Sequence, residues 1–412
     1  MTIKIVAGDG TGDYNCDGSG DQTTINQALA WAAANPGNDI HLKGPFTYDF
    51  TDQILIGSST VFSGDSTAKL RLNNSCLWSA GIPVIGQRGS DGSYSPGTIT
   101  HDVEITGFEI DGNETNLYHS GTDRIHGHDY YRIIYFQGQS TNPAYNLSVH
   151  GMNIHDSMGD GVRFGYCKTI KTYSNTLSNL EHCAVFVVDC DGSEVYSNTI
   201  KTITTSGIRH DNSRNVKIHD NNISDFTGTT HAPTGGAHGI QFGNQPSGHT
   251  NLTQNLEIYN NTISVGGCGF QIEDYLKTAG TTAQTAHIYN NHLTGCGWRN
   301  WTEYFAGITI YSWGNGLNIE YNTIDGSYRA GILAYGAITS GVTASVKNNN
   351  IINSVKAGSG GGYGIWNKVS SSLTIQAENN YCHNNISGNY SGVTPVSEAT
   401  SSISGSLPTS ST

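Results

Sequence analysis

Charged residues make up only 13% of this chain, yet several recur at one place in a repeated pattern. A Gly or a small residue followed by Ile, Val or Phe opens a series of short segments. They read Val162-Arg163-Phe164-Gly165, Ile208-Arg209-His210-Asp211, Ile240-Gln241-Phe242-Gly243, Phe270-Gln271-Ile272-Glu273-Asp274 and Ile308-Thr309-Ile310-Tyr311. If these are strands, alternate side chains share a face. The outward set is then Arg163, Arg209, Asp211, Gln241, Gln271, Glu273, Thr309 and Tyr311. Asp211 and Glu273 follow Gly207 and Gly269 at the same offset. Paired carboxyl groups of this kind cut glycosidic bonds: one protonates the leaving oxygen while the other activates water or attacks carbon. Arginines beside them can clamp the carboxylate of an acidic sugar. Asp189, with its register counted from Val195, and Asp274 stand behind the first pair as catalytic candidates. His210 faces inward by alternation, but its place beside Arg209 keeps it among candidate substrate contacts. The segment from Trp298 through Trp301 and Glu303 to Tyr304 adds rings that can stack on sugars and a further carboxylate. The competing reading is structural: Arg163 and Arg209 forming surface ion pairs with Asp189 and Asp211, each worth ~0–1 kcal/mol.

The elements that must hold these residues announce themselves by repetition. Ile154, Leu177, Ile200 and Ile223 lie 23 residues apart, and Ile263, Leu293, Ile324 and Ile352 continue at spacings of 40, 30, 31 and 28. Each interval reads as one coil of about 23 residues, with or without an insertion. Asn175, Asn198, Asn221, Asn261, Asn291, Asn322 and Asn350 stand two residues before these anchors. Asparagine tolerates the left-handed conformation of a tight turn, and stacked copies can hydrogen-bond from coil to coil. Coils of three short strands cannot bury an apolar face singly, but a stack shares one continuous core. The expected fold is all-β: a single right-handed parallel β-helix over residues 41–386. An N-terminal cap over residues 1–40 precedes it, and a Ser/Thr-rich linker or tail over 387–412 follows. Within the cap, apolar residues at 25, 28, 29 and 32 predict an amphipathic helix over 21–35, N-capped by Asp21 or Thr23. Insertions at 111–131, 226–236, 295–305, 243–255 and 275–284 are expected to wall a groove over the outward set, which suits a chain-like ligand.

Composition narrows the partner. A formal charge of −13 with 20 Lys and Arg, none clustered, argues against nucleic acid. No apolar run reaches the ~20 residues that span a membrane. The eight cysteines form no C-x-x-C pair and read as buried small residues, with one or two disulfides left open. His119, His126, His128 and Asp129 share one loop without strict metal-ligand spacing, so no metal is assigned. Asp13, Asn15, Asp17 and Gly18 imitate the start of a calcium loop, but Thr24 stands where that loop needs Glu, so a turn is expected in place of a calcium site. The Asn-x-Ser/Thr patterns at Asn146, Asn251 and Asn389 fit a secreted or cell-surface product. The chain is expected to be monomeric and joined to further domains.

Residues 7–29 (AGDGTGDYNCDGSGDQTTINQAL) and 41–65 (HLKGPFTYDFTDQILIGSSTVFSGD) together resemble the entry to pectin-lyase-like β-helix proteins. More narrowly, they are similar to the disaggregatase catalytic region of surface proteins from methane-producing archaea, a likeness covering residues 1 to about 385. The resemblance implies breakdown of methanochondroitin, a cell-wall polysaccharide of uronic acid and N-acetylgalactosamine, releasing cells from aggregates. It places no catalytic residue. Coil stacking puts Asp211 and Glu273 two strands apart, roughly 9–10 Å at the backbone, nearer the inverting separation of ~6.5–9.5 Å; Asp189 and Asp211, one coil apart, would be near the retaining value. The leading expectation is therefore an endo-acting glycoside hydrolase without cofactor. A uronate lyase, a C5 epimerase and a non-catalytic adhesin are the alternatives.

Overall fold

The computed structural model describes residues 2–76, 83–117, 132–224, 238–245, 253–274, 285–298, 305–313, 316–336, 341–356 and 360–406. The chain forms two compact units, one ending at Thr204 and the other beginning at Thr205. Each is a right-handed parallel β-helix whose coils supply one strand to each of three parallel sheets.

In the first unit one coil reads Cys167–Tyr173, Thr176–Leu180, Cys183–Val188. These strands belong to what we call the outer, anchor and floor sheets. Ile110, Ile154, Leu177 and Ile200 pair in register down the anchor sheet, as their spacing required. In the second unit the corresponding column is Ile223, Ile263, Leu293, Ile324 and Ile351. The last member is Ile351, not Ile352. The run Asn348-Asn349-Asn350-Ile351-Ile352 satisfies the pattern in either frame, and the interior takes Ile351, which is fully buried.

The asparagine ladder runs beside this column. Asn261 donates its backbone N–H (3.0 Å) and its amide (2.9 Å) to Asn291 Oδ1, and Asn291 does the same to Asn322. The ladder continues through Asn349 and Asn380, so Asn349 takes the place expected of Asn350. The left-handed residue of each turn is the one before the ladder asparagine: Ser174, Ser197, Asn260, Asn290, Tyr321 and Asn348 have φ of 54–56°. The ladder side chains serve as buried hydrogen-bonding groups, which must be satisfied inside a core.

The glycines that open the floor strands have a packing cause. A Cβ at Gly161, Gly239, Gly269 or Gly307 would lie 2.5–2.9 Å from the anchor residue Leu177, Ile263, Leu293 or Ile324. Both this residue and the next one therefore face inward at the corner. The residue before the glycine is thereby turned outward, a break in alternation that matters below.

The helix Gln22–Ala34 buries Ile25, Ala28, Leu29 and Ala32, the predicted face. Asp21 stands at its N-cap without capping it: Oδ1 accepts from the N–H groups of Asp17 and Gly18, and Oδ2 from Asp49 N–H. Asp13 accepts from Lys4 and Ile5, and Asp17 from Ser19. The first 40 residues are more than a cap, because Ile3–Ala7 pairs with Asn38–Leu42 in the outer sheet. The far end corrects the expected linker: Gly388–Ser391 adds a floor strand, and Val396 and Ile403 hydrogen-bond to Ala377 and Asn350. Hydrogen-bonding to the stack gives this segment's backbone donors partners that a solvated linker lacks. All eight cysteines are buried, and none of them forms a disulfide. Among the described residues no helix is long and apolar enough to cross a membrane.

Candidate functional site

Each unit presents an outward floor of three columns. The first column is the residue before the corner glycine; the second and third follow by alternation. The second unit has Ser206, His238 and Cys268 in the first column and Arg209, Gln241, Gln271 and Thr309 in the second. Asp211, Gly243 and Glu273 occupy the third. The strand register thus sets Asp211 and Glu273 at one offset with Gly243 between them, as predicted. A side chain at 243 is impossible, because its Cβ would overlap the Glu273 carbonyl.

The chemistry of this floor is tightly wired. Arg209 donates from Nε and from its terminal nitrogen to Asp211 Oδ2, both at 2.8 Å. Asp211 Oδ1 is buried without a hydrogen-bond partner. Ser206 donates to Gln241 Oε1 (2.7 Å), and Gln241 donates to Glu273 Oε2 (3.1 Å). Gln271 donates to Glu273 Oε1. Asp211 and Glu273 are 2% and 5% exposed, so a ligand meets them at the bottom of a covered floor. Each accepts hydrogen bonds from the donors named here.

Other candidates fall elsewhere. His210 is fully buried with neither ring nitrogen hydrogen-bonded, and burial pulls its pKa down to about 3. It faces the core and cannot touch a ligand on the floor. Asp274 accepts from the buried Asn244 amide (3.2 Å) at the strand end. Asp189 lies beyond its strand in a left-handed turn (φ 53°), buried beside Tyr166, because register is set by Arg163 against Phe186 and not by counting back from Val195. Tyr311 is half-buried, 6.4 Å from the Tyr335 ring. Trp298 is exposed. Trp301, Glu303, His119, His126, His128, Asp129 and most of each expected groove wall lie outside the described residues.

The first unit's floor holds Arg132, Asp160 and Cys183 in its first column and Tyr135, Arg163 and Phe186 in its second. Arg163 pairs with Asp160 (3.2 Å) and not with Asp189, since Asp160 is turned outward by the corner. His182 Nδ1 is 2.6 Å from the other Asp160 oxygen. Arg163 also lies 4.3 Å from the Phe186 ring centroid, and Arg132 4.6 Å from that of Tyr135. Away from this floor, Glu114 is buried against Glu181. Burial first, and Glu181 second, push the Glu114 carboxyl up to about 10.

Asp160, Arg132, His182 and His238 were missed from sequence. The signal for Asp160 and His238 was present, in the residue before each corner glycine, but strict alternation pointed it inward.

Residues 253–403 match a family profile described as "Disaggregatase related". No curated protein matches the chain in sequence. Among solved structures, the A-module of a mannuronan C-5 epimerase of Azotobacter vinelandii superposes with a TM-score of 0.61 at 12% identity, covering 94% of this chain and 96% of that one. A second such A-module from the same organism gives 0.53 at 12% identity, over 97% and 100%. The tailspike protein of E. coli bacteriophage HK620 gives 0.53 at 13% identity, over 88% and 62%. At such identities these likenesses establish the parallel β-helix fold. The profile match covers the latter part of the chain, whereas the resemblance noted above rests on residues 7–65; the two are separate signals.

Proposed function

We propose that this chain is a secreted or cell-surface glycoside hydrolase that cuts an acidic polysaccharide of uronic acid and N-acetylhexosamine, as methanochondroitin is, on the floor of its second unit. The observation that carries the reading is the alignment of Asp211 and Glu273 on either side of side-chain-free Gly243. The polysaccharide-acting names of the structural neighbours and the disaggregatase-related match agree with it.

In this reading Glu273, fixed by two amide donors, is the base that activates water. Asp211 is the acid, armed by substrate: a uronate carboxylate draws Arg209 away, and a buried carboxyl group deprived of its cation favours the protonated form. The separation of two strand steps, roughly 9–10 Å at the backbone, accords with inversion. The second reading, β-elimination, needs a base beside Arg209. His238 stands there, but burial and then the Arg209 charge pull its pKa down to about 3, too weak for abstracting a carbon-bound proton.

Incubation with a uronate-containing polysaccharide tests this. New reducing ends without ultraviolet absorption are expected. Absorption from an unsaturated uronate would replace hydrolysis by elimination, and binding without new ends would leave a C5 epimerase or a non-catalytic adhesin.

A further inference from the structure

Beyond Glu273 the second unit's floor changes character. The next three coils place Ala306, Ala330 and Tyr363 in the first column and Thr309, Leu333 and Trp366 in the second. The third column runs on from Glu273 through Tyr311 and Tyr335 to Lys368. Its register is fixed by the backbone, where Tyr311, Tyr335 and Lys368 donate to the carbonyls of Ile272, Ile310 and Ala334. Ala306, Ala330 and Leu333 are fully buried on this outward face, and the partly buried Tyr335 and Trp366 pack against them. The Trp366 ring lies 5.2 Å from that of Tyr363, and the Tyr335 ring 6.4 Å from that of Tyr311. Lys368 Nζ stands over both Tyr335 and Trp366, 4.8 Å from each centroid.

Packing accounts for the small and aliphatic residues beneath. It does not account for the layer above them, where rings with polar edges and a lysine occupy the columns that carry Gln271 and Glu273 upstream. A pyranose matches that layer. Its C–H face lies on the electron-rich face of an aromatic ring, while its hydroxyl groups stay at the rim, where phenol groups and water meet them. The lysine, seated on two rings, complements the carboxylate of a uronic acid. Mostly apolar walls with a few placed polar groups are the usual make-up of a ligand site. The patch is also continuous with the carboxyl pair. Lys368 is three strand steps from Glu273, roughly 14 Å, a span that takes more than one sugar ring.

We infer that Tyr335, Trp366 and Lys368, reached by way of Tyr311, form a sugar-stacking subsite that holds the acidic glycan beyond the point of attack. Tyr311 was expected among the floor contacts; Tyr335, Trp366 and Lys368 are new. The assignment rests on the reading that this floor takes an acidic polysaccharide, but not on that polysaccharide being cut.

The test titrates the whole chain calorimetrically with a chondroitin disaccharide and a chondroitin hexasaccharide, in a Glu273→Gln background so that the longer ligand is not consumed. The hexasaccharide reaches both the carboxyl floor and the rings, and should bind at least about tenfold tighter than the disaccharide. Trp366→Ala and Tyr335→Ala should each lower hexasaccharide affinity at least about tenfold. Trp366→Phe keeps a ring over Leu333 and should lose less than about threefold. Lys368→Gln should cost about two- to fivefold, as an exposed ion pair does, and should leave any binding of neutral N-acetylchitohexaose unchanged. Absence of the length preference, affinity indifferent to both alanine changes, or equal losses in Trp366→Phe and Trp366→Ala would overturn the inference. The cleavage assay fails separately: new reducing ends with indifferent affinity would keep the hydrolase and remove the subsite, and ring-dependent binding without new ends would do the reverse.

Discussion

The two floors share one scaffold and oppose each other in charge. In both units a small residue at the corner makes room for an anchor leucine or isoleucine and an asparagine ladder closes the turn, yet the first floor gathers Arg132, Arg163 and His182, whereas the second places Asp211 and Glu273 around Arg209. The interior tolerates few residue types because a polar or oversized group there costs free energy directly. The floor's outward side chains lie outside the apolar interior, so they are not held to the residue types that pack there. Similar coils can therefore carry an arginine–histidine cluster around Asp160 in one unit and a carboxyl pair in the other.

The sharpest break of this contrast lies in activity. Glu273→Gln and Asp211→Asn should each still fold and should lower turnover by about 10²–10⁴, because the amides keep shape but exchange no proton. Near-normal cleavage by either variant removes that residue from the mechanism.

Next in size is Arg209→Ala. The sequence alone led to an exposed pair whose loss would scarcely change stability. The structure makes it a covered pair, with side chains 18% and 3% exposed. Stranding Asp211 should cost about 3–5 kcal/mol, read by urea unfolding, and Arg209→Gln less. A cost below about 1 kcal/mol would return the pair to the surface class.

The shared scaffold predicts equality where the floors differ. Gly161→Val in the first unit and Gly307→Val in the second should each destabilise by about 1–3 kcal/mol through overpacking against Leu177 and Ile324. Costs that diverge widely between the two would mean that the corners are not equivalent.

The smallest effect is a slope. Glu114 holds a proton in the folded chain up to about 10, against 4.5 for an ordinary carboxyl. Between those values the folded state binds more protons than the unfolded one, so stability falls as pH rises through that window. For one proton the slope is at most about 1.4 kcal/mol per pH unit. Glu114→Gln should flatten it in unfolding titrations between pH 6 and 9; an unchanged slope would place the proton elsewhere.

What could be read from sequence follows the same division. Ile154, Leu177 and Ile200 were legible because the core excludes polar groups, and Asp211 and Glu273 because each follows its corner glycine at a fixed count. Ile351 was misassigned to Ile352 because adjacent isoleucines fit either frame. Asp160 and His238 were hidden by the corner, where two consecutive residues face inward. Arg132 follows an insertion that obscures its strand, and the Glu114–Glu181 contact joins residues with no periodic relation in the chain.

The asparagine ladder has one more consequence. From Asn221 to Asn349 each rung donates to the next by the same two bonds, so neighbouring coils there recognise one another through a standard coupling that is indifferent to what lies between rungs. Length differences among coils collect in the loops, where they disturb no coupling. Such a stack can be edited like beads on a spindle: new chemistry can arrive in a loop or on a floor strand while the fastening stays as it was.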